Sequence, residues 1–396
     1  NQTLQMAQAQ YRGAVAAVDA ARAGRAPVLS AGASATRARS AGGAIGQAWT
    51  TDLSAGWEPD LWGRIAARID AAQASAEASA ADLAGVRLAQ QTLLAQTWFQ
   101  WRVVRAQQQL LDETVTAYAR SLQLTRDRLA AGVVTRADVA QAQTQWKAAQ
   151  AQRLETDITR AQLEHALALL TGRTPAGFAL PNPEVSGHTQ TTDPWIRALP
   201  DRIPDVPVGL PSQLLERRPD IIAAERRIAA AHARIGVARA AWYPSLTLGA
   251  GVGLRATTIG DLLALPARVW SFGPSLAAAL FDGGARAAAD EQAQAEYEFA
   301  IADWRQTVLL AFREVEDQLA ALRVLEAQIA VQREVLAAAQ LTLELVTRQY
   351  KAGTVSFLNV VQAQTSVQQA GLALLSVQGR RLDGTVALIR AIGGPW

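Results

Sequence analysis

No cysteine occurs among the 396 residues, so disulfide frameworks, thiolate metal sites and thiol catalysis are excluded. The absence fits an oxidising compartment without demanding one. Charge is sparse, at 18% against about 25% in ordinary soluble domains. Aromatics make up 6% while hydrophobic residues reach 50%, so alanine carries much of the apolar count. Such a composition favours long, closely packed helices. The pI of about 9.6 accompanies a net charge of only +3, and no Lys/Arg run is interleaved with aromatics. That argues against a nucleic-acid partner. No stretch approaches ~18 uninterrupted apolar residues, so no transmembrane helix is expected. No signal-peptide pattern opens the chain either. Asn1-Gln2-Thr3 already lies within an expected helix, from which a preceding N-terminal segment is expected.

What the chain does have is a copy of itself. Residues 57–175 superpose on 278–396 at a single offset of 221. Gly132 falls on Gly353, Val139 on Val360 and Gly172 on Gly393. Gln141-Ala142-Gln143-Thr144 meets Gln362-Ala363-Gln364-Thr365. A repeat of this length is one structural unit used twice. The first repeat spans 1–175: a helix, strands over 27–38 and 47–58, a long helix over 61–131 and a return helix over 135–171. The second spans 219–396: a helix over 220–241, strands over 244–255 and 268–281, a long helix over 284–352 and a return helix over 356–392. Between them, 176–218 is a connector too rich in proline for helix or central strand. A helix of nearly 70 residues would run roughly 100 Å. Its apolar residues, among them Ile65, Ile69, Ala72 and Ala76, recur every three or four positions, a seam for neighbouring helices. Paired with antiparallel return helices, such elements make a coiled-coil rod or a helical tube.

The strands alternate. Trp49, Thr51, Leu53, Ala55 and Trp57 oppose Thr50, Asp52, Ser54 and Glu58. Leu246, Leu248, Ala250, Val252 and Leu254 oppose Ser245, Thr247, Gly249, Gly251 and Arg255. Trp270, Phe272, Leu276, Ala278 and Leu280 oppose Ser271, Gly273 and Ser275. Period-two patterning over about ten residues is what a tilted membrane strand needs. Trp49, Trp57, Trp242 and Trp270 at strand ends suit an interfacial aromatic girdle. A soluble sandwich is the alternative for any one strand, but four strands are too few for such a core. Four strands also leave two open edges, which hydrocarbon cannot satisfy. Two chains would give eight strands and a filled lumen; three would give twelve and a passage. A homotrimer is therefore expected.

Several segments resemble the TolC-like outer-membrane efflux channel family, in its NodT-type lipoprotein branch. They are Leu214-Leu215-Glu216-Arg217-Arg218-Pro219-Asp220-Ile221, Ala238-Arg239-Ala240-Ala241-Trp242-Tyr243-Pro244-Ser245-Leu246, Phe281-Asp282-Gly283-Gly284 and the terminal Ala391-Ile392-Gly393-Gly394-Pro395-Trp396. The resemblance covers essentially the whole chain. It implies an α+β membrane protein whose four strands per protomer complete a 12-stranded trimeric β-barrel, continued by a long periplasmic α-helical barrel. It implies partners too: a periplasmic adaptor protein, an inner-membrane RND-type pump and outer-membrane lipid. An acylated N-terminal cysteine, usual in this branch, would rest on a segment outside this sequence.

The resemblance also implies site residues. Gly132, Val133, Val134, Thr135 and Gly353, Thr354, Val355, Ser356 would be the periplasmic tips that dock the adaptor. Tyr350 and Asp138 would form a latch across the tips. Asn359 and Gln362 stand where the best-known relative carries two carboxylates. Three chains would supply amide rings there, so strong block by multivalent cations is not expected. A type I polypeptide secretion duct remains an alternative, and a soluble coiled-coil scaffold another.

No catalytic constellation is found. His165, His188 and His232 form no HExxH or HxxxH pair. Gly249-Ala250-Gly251-Val252-Gly253 sits inside an alternating strand, not before a helix, so it does not read as a dinucleotide loop. Glu314, Glu316 and Asp317 read as a charged helix face. Neither an enzyme nor a cofactor is expected.

Overall fold

The computed structural model of the chain describes residues 1–39, 41–43, 45–181, 195, 199 and 217–394. Among the described residues, ten α-helices and β-strands follow in order: α1 (Gln2–Ala23), β1 (Val28–Arg39), β2 (Ile45–Trp57), α2 (Arg64–Ala130), α3 (Arg136–Thr171), α4 (Pro219–Ala240), β3 (Ser245–Ala256), β4 (Arg268–Ala277), α5 (Ala285–Ala352) and α6 (Phe357–Ala391). The repeat is visible in the lengths: α2 and α5 hold 67 and 68 residues, α3 and α6 hold 36 and 35. Most of the connector, and the Leu214–Glu216 and Pro395–Trp396 parts of the family-like segments, lie outside the described residues.

Local chemistry sets the element ends. Asp60 caps α2, its carboxylate accepting the N–H groups of Ile65 (2.8 Å) and Ala66 (2.7 Å). The helix therefore starts at Arg64 and not at 61. Pro219 opens α4, where its missing N–H leaves no helical bond unmade. The fourth strand ends at Ala277, not at 281. Ala277 pairs with Ser245, the first residue of β3, so beyond it no partner strand remains. Leu280 and Phe281 are consequently more than nine-tenths exposed.

The described residues form two compact units: Met6–Ala84 with Pro219–Val308, and Asn1–Gln5 with Gly85–Arg218 and Leu309–Trp396. Each unit takes one part of each repeat. The first carries a single antiparallel sheet in the order β1-β2-β3-β4. Around its helices, Ala21, Ile65 and Ile69 form a small cluster. Arg227 clasps Asp82 of α2 at 2.7 Å.

The second unit is helix on helix. Val103, Ala106 and Leu110 of α2 meet Leu325, Ile329 and Leu336 of α5 and Leu374, Leu375 and Leu382 of α6, closed by Trp195. Leu374 and Leu375 are wholly buried, each worth about 1.5–3 kcal/mol of transfer free energy. Approach is close because α6 presents glycine: a Cβ on Gly379 would stand 3.0 Å from Val103 Cγ2. Polar bonds join α2 to α3. Trp101 Nε1 donates to Glu164 (3.1 Å), Gln108 to Asp157 (2.9 Å) and Arg153 to Asp112 (2.7 Å).

Candidate functional site

The strand register sorts the sheet into two faces. Opposed residues share a face, and Gly32↔Asp52↔Gly253↔Val269 fixes the polar one. Along it run Ser30, Ser34, Thr50, Ser54, Thr247, Arg255, Ser271 and Ser275 with several glycines; Val28, Val269 and the alanines Ala38, Ala48 and Ala277 are its apolar exceptions. The other face carries Leu29, Leu53, Leu246, Leu248, Val252, Trp270, Phe272 and Leu276. Much of it is uncovered in a single chain: Trp270 is 79% exposed and Phe272 75%. Water does not tolerate an apolar face of this kind in an isolated chain.

The four tryptophans fall at the two ends of the sheet. Trp49 and Trp270 lie toward the end carrying the β1–β2 and β3–β4 loops. Trp57 and Trp242 lie at the end joined to helices. Trp57 Nε1 donates to the Arg25 carbonyl at 3.0 Å, and the Arg286 guanidinium sits 4.9 Å over the Trp242 ring. Two aromatics that the girdle reading left out join them. Trp62 stacks on Tyr243 with ring centres 4.7 Å apart, and its Nε1 donates to the Pro244 carbonyl at 2.6 Å. Trp57 and Trp62 are thus rings with one apolar body and one bonded N–H edge, the form suited to a membrane boundary.

The two helix reversals close alike. Gly132 (φ 71°) and Gly353 (φ 79°) take the left-handed conformation that glycine adopts without strain. Gly132 N–H reaches the Leu129 carbonyl and Val133 N–H the Arg128 carbonyl. Gly353 and Thr354 repeat the pattern on Tyr350 and Gln349. Both are Schellman closures, which satisfy the last carbonyls of α2 and α5. The return helices then begin differently. Thr135 and Asp138 form a reciprocal capping box at the start of α3. Ser356 caps α6 in backbone geometry only; its hydroxyl bonds the Asn359 side chain at 2.9 Å instead. Val133 is exposed, as are Thr354 and Ser356, while Val134 and Val355 are half-buried.

The expected Tyr350–Asp138 bond is not formed. Asp138 Oδ2 accepts from the Thr135 N–H (2.9 Å) and hydroxyl (2.8 Å), and the Tyr350 hydroxyl is buried without a partner among the described residues. The reason is local: Asp138 is the third residue of its helix, and a capping partner three residues away needs no second helix to be ordered. Tyr350 is instead held by Arg128, whose guanidinium lies 4.5 Å over the ring and donates to the Tyr350 carbonyl at 2.7 Å. Phe357 packs beside the ring, with centres 5.5 Å apart. Sequence reasoning missed Arg128; its one signal was a basic residue in the last turn of a helix. Asn359 and Gln362 are exposed on α6.

Elsewhere the motif Arg217-Arg218-Pro219 gains a structural role. Arg218 Nη1 donates to the last carbonyl of α6, on Ala391 (2.8 Å), and to Glu314 (2.9 Å). Glu314 is thus not a free surface acid. His232 packs against Tyr297, His165 lies on α3, and His188 lies outside the described residues. Among the described residues, no group of three or more His, Cys, Asp or Glu side chains could hold a metal, and no helix is long and apolar enough to cross a membrane.

A sheet with one lipid-compatible and one polar face, in a chain with two long reversing helix pairs, defines a subunit of a membrane duct. Comparison with known proteins agrees. The family model described as outer membrane efflux protein matches residues 1–173 and 210–394, and the chain belongs to that family. It is 31% identical over 341 residues to the toluene efflux pump outer membrane protein TtgC of Pseudomonas putida, covering 86% of this chain and 68% of that one. It is 32% identical over 410 residues to the outer membrane protein OprJ of Pseudomonas aeruginosa, covering 99% and 80%. The solved structure of a membrane protein from Pseudomonas aeruginosa matches with a TM-score of 0.90 at 31% identity, over all of this chain and 88% of that one. The protein is therefore an α+β outer-membrane channel of the TolC-like class, the exit duct of an efflux system.

Proposed function

We propose that three copies of the chain close a twelve-stranded barrel around the polar face, and that this duct passes drugs or other small toxic molecules outward without chemical change. The observation that carries the reading is the two-faced sheet with unpaired edges β1 and β4. Hydrocarbon leaves no solvent for edge N–H and C=O groups, so the edges must pair with further copies. The toluene pump assignment of TtgC supports a small-molecule cargo. The tips at Gly132–Thr135 and Gly353–Ser356 dock a periplasmic adaptor, which links the duct to an inner-membrane RND-type pump. Trp49, Trp57, Trp242 and Trp270 form the girdle, and Arg128, Tyr350, Asn359 and Gln362 line the entrance region near the tips. A lipid anchor would lie on a preceding segment.

The test is reconstitution. Full-length protein in a planar lipid bilayer should give stepwise conductance, and in a host lacking its own outer-membrane duct it should, with its cognate pump, restore solvent tolerance. A water-soluble, non-conducting product would overturn the reading.

A further inference from the structure

We propose that the outward face of the sheet binds a phosphorylated glycolipid of the outer leaflet, of the lipid A class, through Arg37, Arg39 and Arg268. The proposal rests on the membrane-duct reading above.

The register places all three arginines on the apolar face. Arg37 and Arg39 continue the row of Leu29, Ala31, Ala33 and Ala35 on β1. Arg268 opens the row of Trp270, Phe272 and Leu276 on β4. All three are exposed. They also share an end of the sheet. Arg37 and Arg39 close β1 shortly before β2 begins at Ile45, and Arg268 opens β4 after β3 ends at Ala256, whereas α1, α2, α4 and α5 all join the strands at the opposite end. That opposite end leads toward the periplasm, so the arginines stand at the outer leaflet.

No acid on that face neutralises them. Asp52 is the one acid within the four strands, and it lies on the polar face. Arg37 and Arg268 make no hydrogen bond or ion pair among the described residues, and Arg39 spends one N–H on the Gly43 carbonyl at 3.2 Å. A cation on the lipid side of a barrel is costly at mid-bilayer and nearly free at the headgroup level. Three of them beside an apolar band therefore fit one environment, a plane of anionic headgroups. The guanidinium fork matches phosphate with two parallel hydrogen bonds. Because β1 and β4 are the two edges of the sheet, ring closure sets Arg37 and Arg39 of one copy near Arg268 of the next, and the groups become a continuous belt.

The experiment compares full-length wild type with the R37Q/R39Q/R268Q variant and with R255Q, a cation on the polar face. Each is purified in detergent and titrated with bisphosphorylated lipid A or its dephosphorylated form, and bound lipid is read by native mass spectrometry. Wild type and R255Q should retain the bisphosphorylated lipid, and the triple variant should hold it roughly tenfold or more weakly, as expected for loss of basic residues facing an anionic leaflet. The R37Q/R39Q and R268Q variants should fall between, which keeps the test usable if the triple variant assembles poorly. Equal retention by wild type and a conducting triple variant would overturn the belt alone. A wild type that neither oligomerises nor conducts would overturn the duct reading and the belt with it.

Discussion

At the scale of single residues, equivalent positions in the two repeats have diverged in chemistry. Thr135 and Asp138 correspond to Ser356 and Asn359 at the 221-residue offset, yet only the first pair makes the reciprocal cap. Thr135→Ala should loosen the start of α3 by about 0.5–2 kcal/mol. Ser356→Ala should change the start of α6 far less, since its hydroxyl bonds no helix N–H. Amide hydrogen exchange at the two first turns would reveal the difference, and equal effects would refute the assignment. Asp383 offers a second test. Burial raises its pKa, partly offset by the Gln100 amide donating to Oδ2 at 3.2 Å. Oδ1 is buried without a partner among the described residues. The folded state thus holds this proton more tightly than the unfolded chain. Stability should fall as pH rises from the ordinary carboxylate pKa through the raised folded one. Asp383→Asn should flatten that slope in thermal unfolding curves between mildly acid and neutral pH. An unchanged slope would show that solvent reaches the carboxylate freely.

At the scale of elements, the sheet separates two environments one residue apart. Phe272 and Ser271 are neighbours on β4, on opposite faces. An arginine on the lipid side near mid-span costs about 2–4 kcal/mol, while lumen positions tolerate charge. Phe272→Arg should therefore lower the yield of assembled outer-membrane protein several-fold, and Ser271→Arg should leave it near wild type. Heat-modifiable migration on gels reads both, and the reverse order would invert the face assignment. Pro274, opposite Leu248 on the same face as Phe272, supplies no N–H to the ladder. Packing between elements explains the glycines of α6. At Gly379 even a methyl group would press on Val103, a stiff β-branched side chain.

At the scale of the whole molecule, the repeat and the compact units cut the chain differently. Each unit draws one helical or stranded part from each repeat, so neither repeat forms a compact body by itself. Four strands with two edges likewise complete nothing within one chain. Native mass spectrometry of full-length protein in detergent should give a three-fold multiple of the chain mass, surviving at salt concentrations that dissociate weak contacts. A stable monomer free of detergent would contradict the closed ring.

Much of this was legible in the sequence because it depends on local period and local sterics. Alternation along Leu246–Leu254 reports a two-faced strand, the lack of proline after Asp60 permits a helix of 67 residues, and Gly132 and Gly353 mark reversals that need positive φ. The strand register, the Arg128 stack on Tyr350, the Arg218 clasp on Ala391 and the Gly379 approach to Val103 were decided only by tertiary structure. Each joins residues far apart in the chain, where no periodicity links the partners and packing selects one pairing among many. The latch expected between Tyr350 and Asp138 failed for the complementary reason: a partner three residues away captured the carboxylate before a distant hydroxyl could.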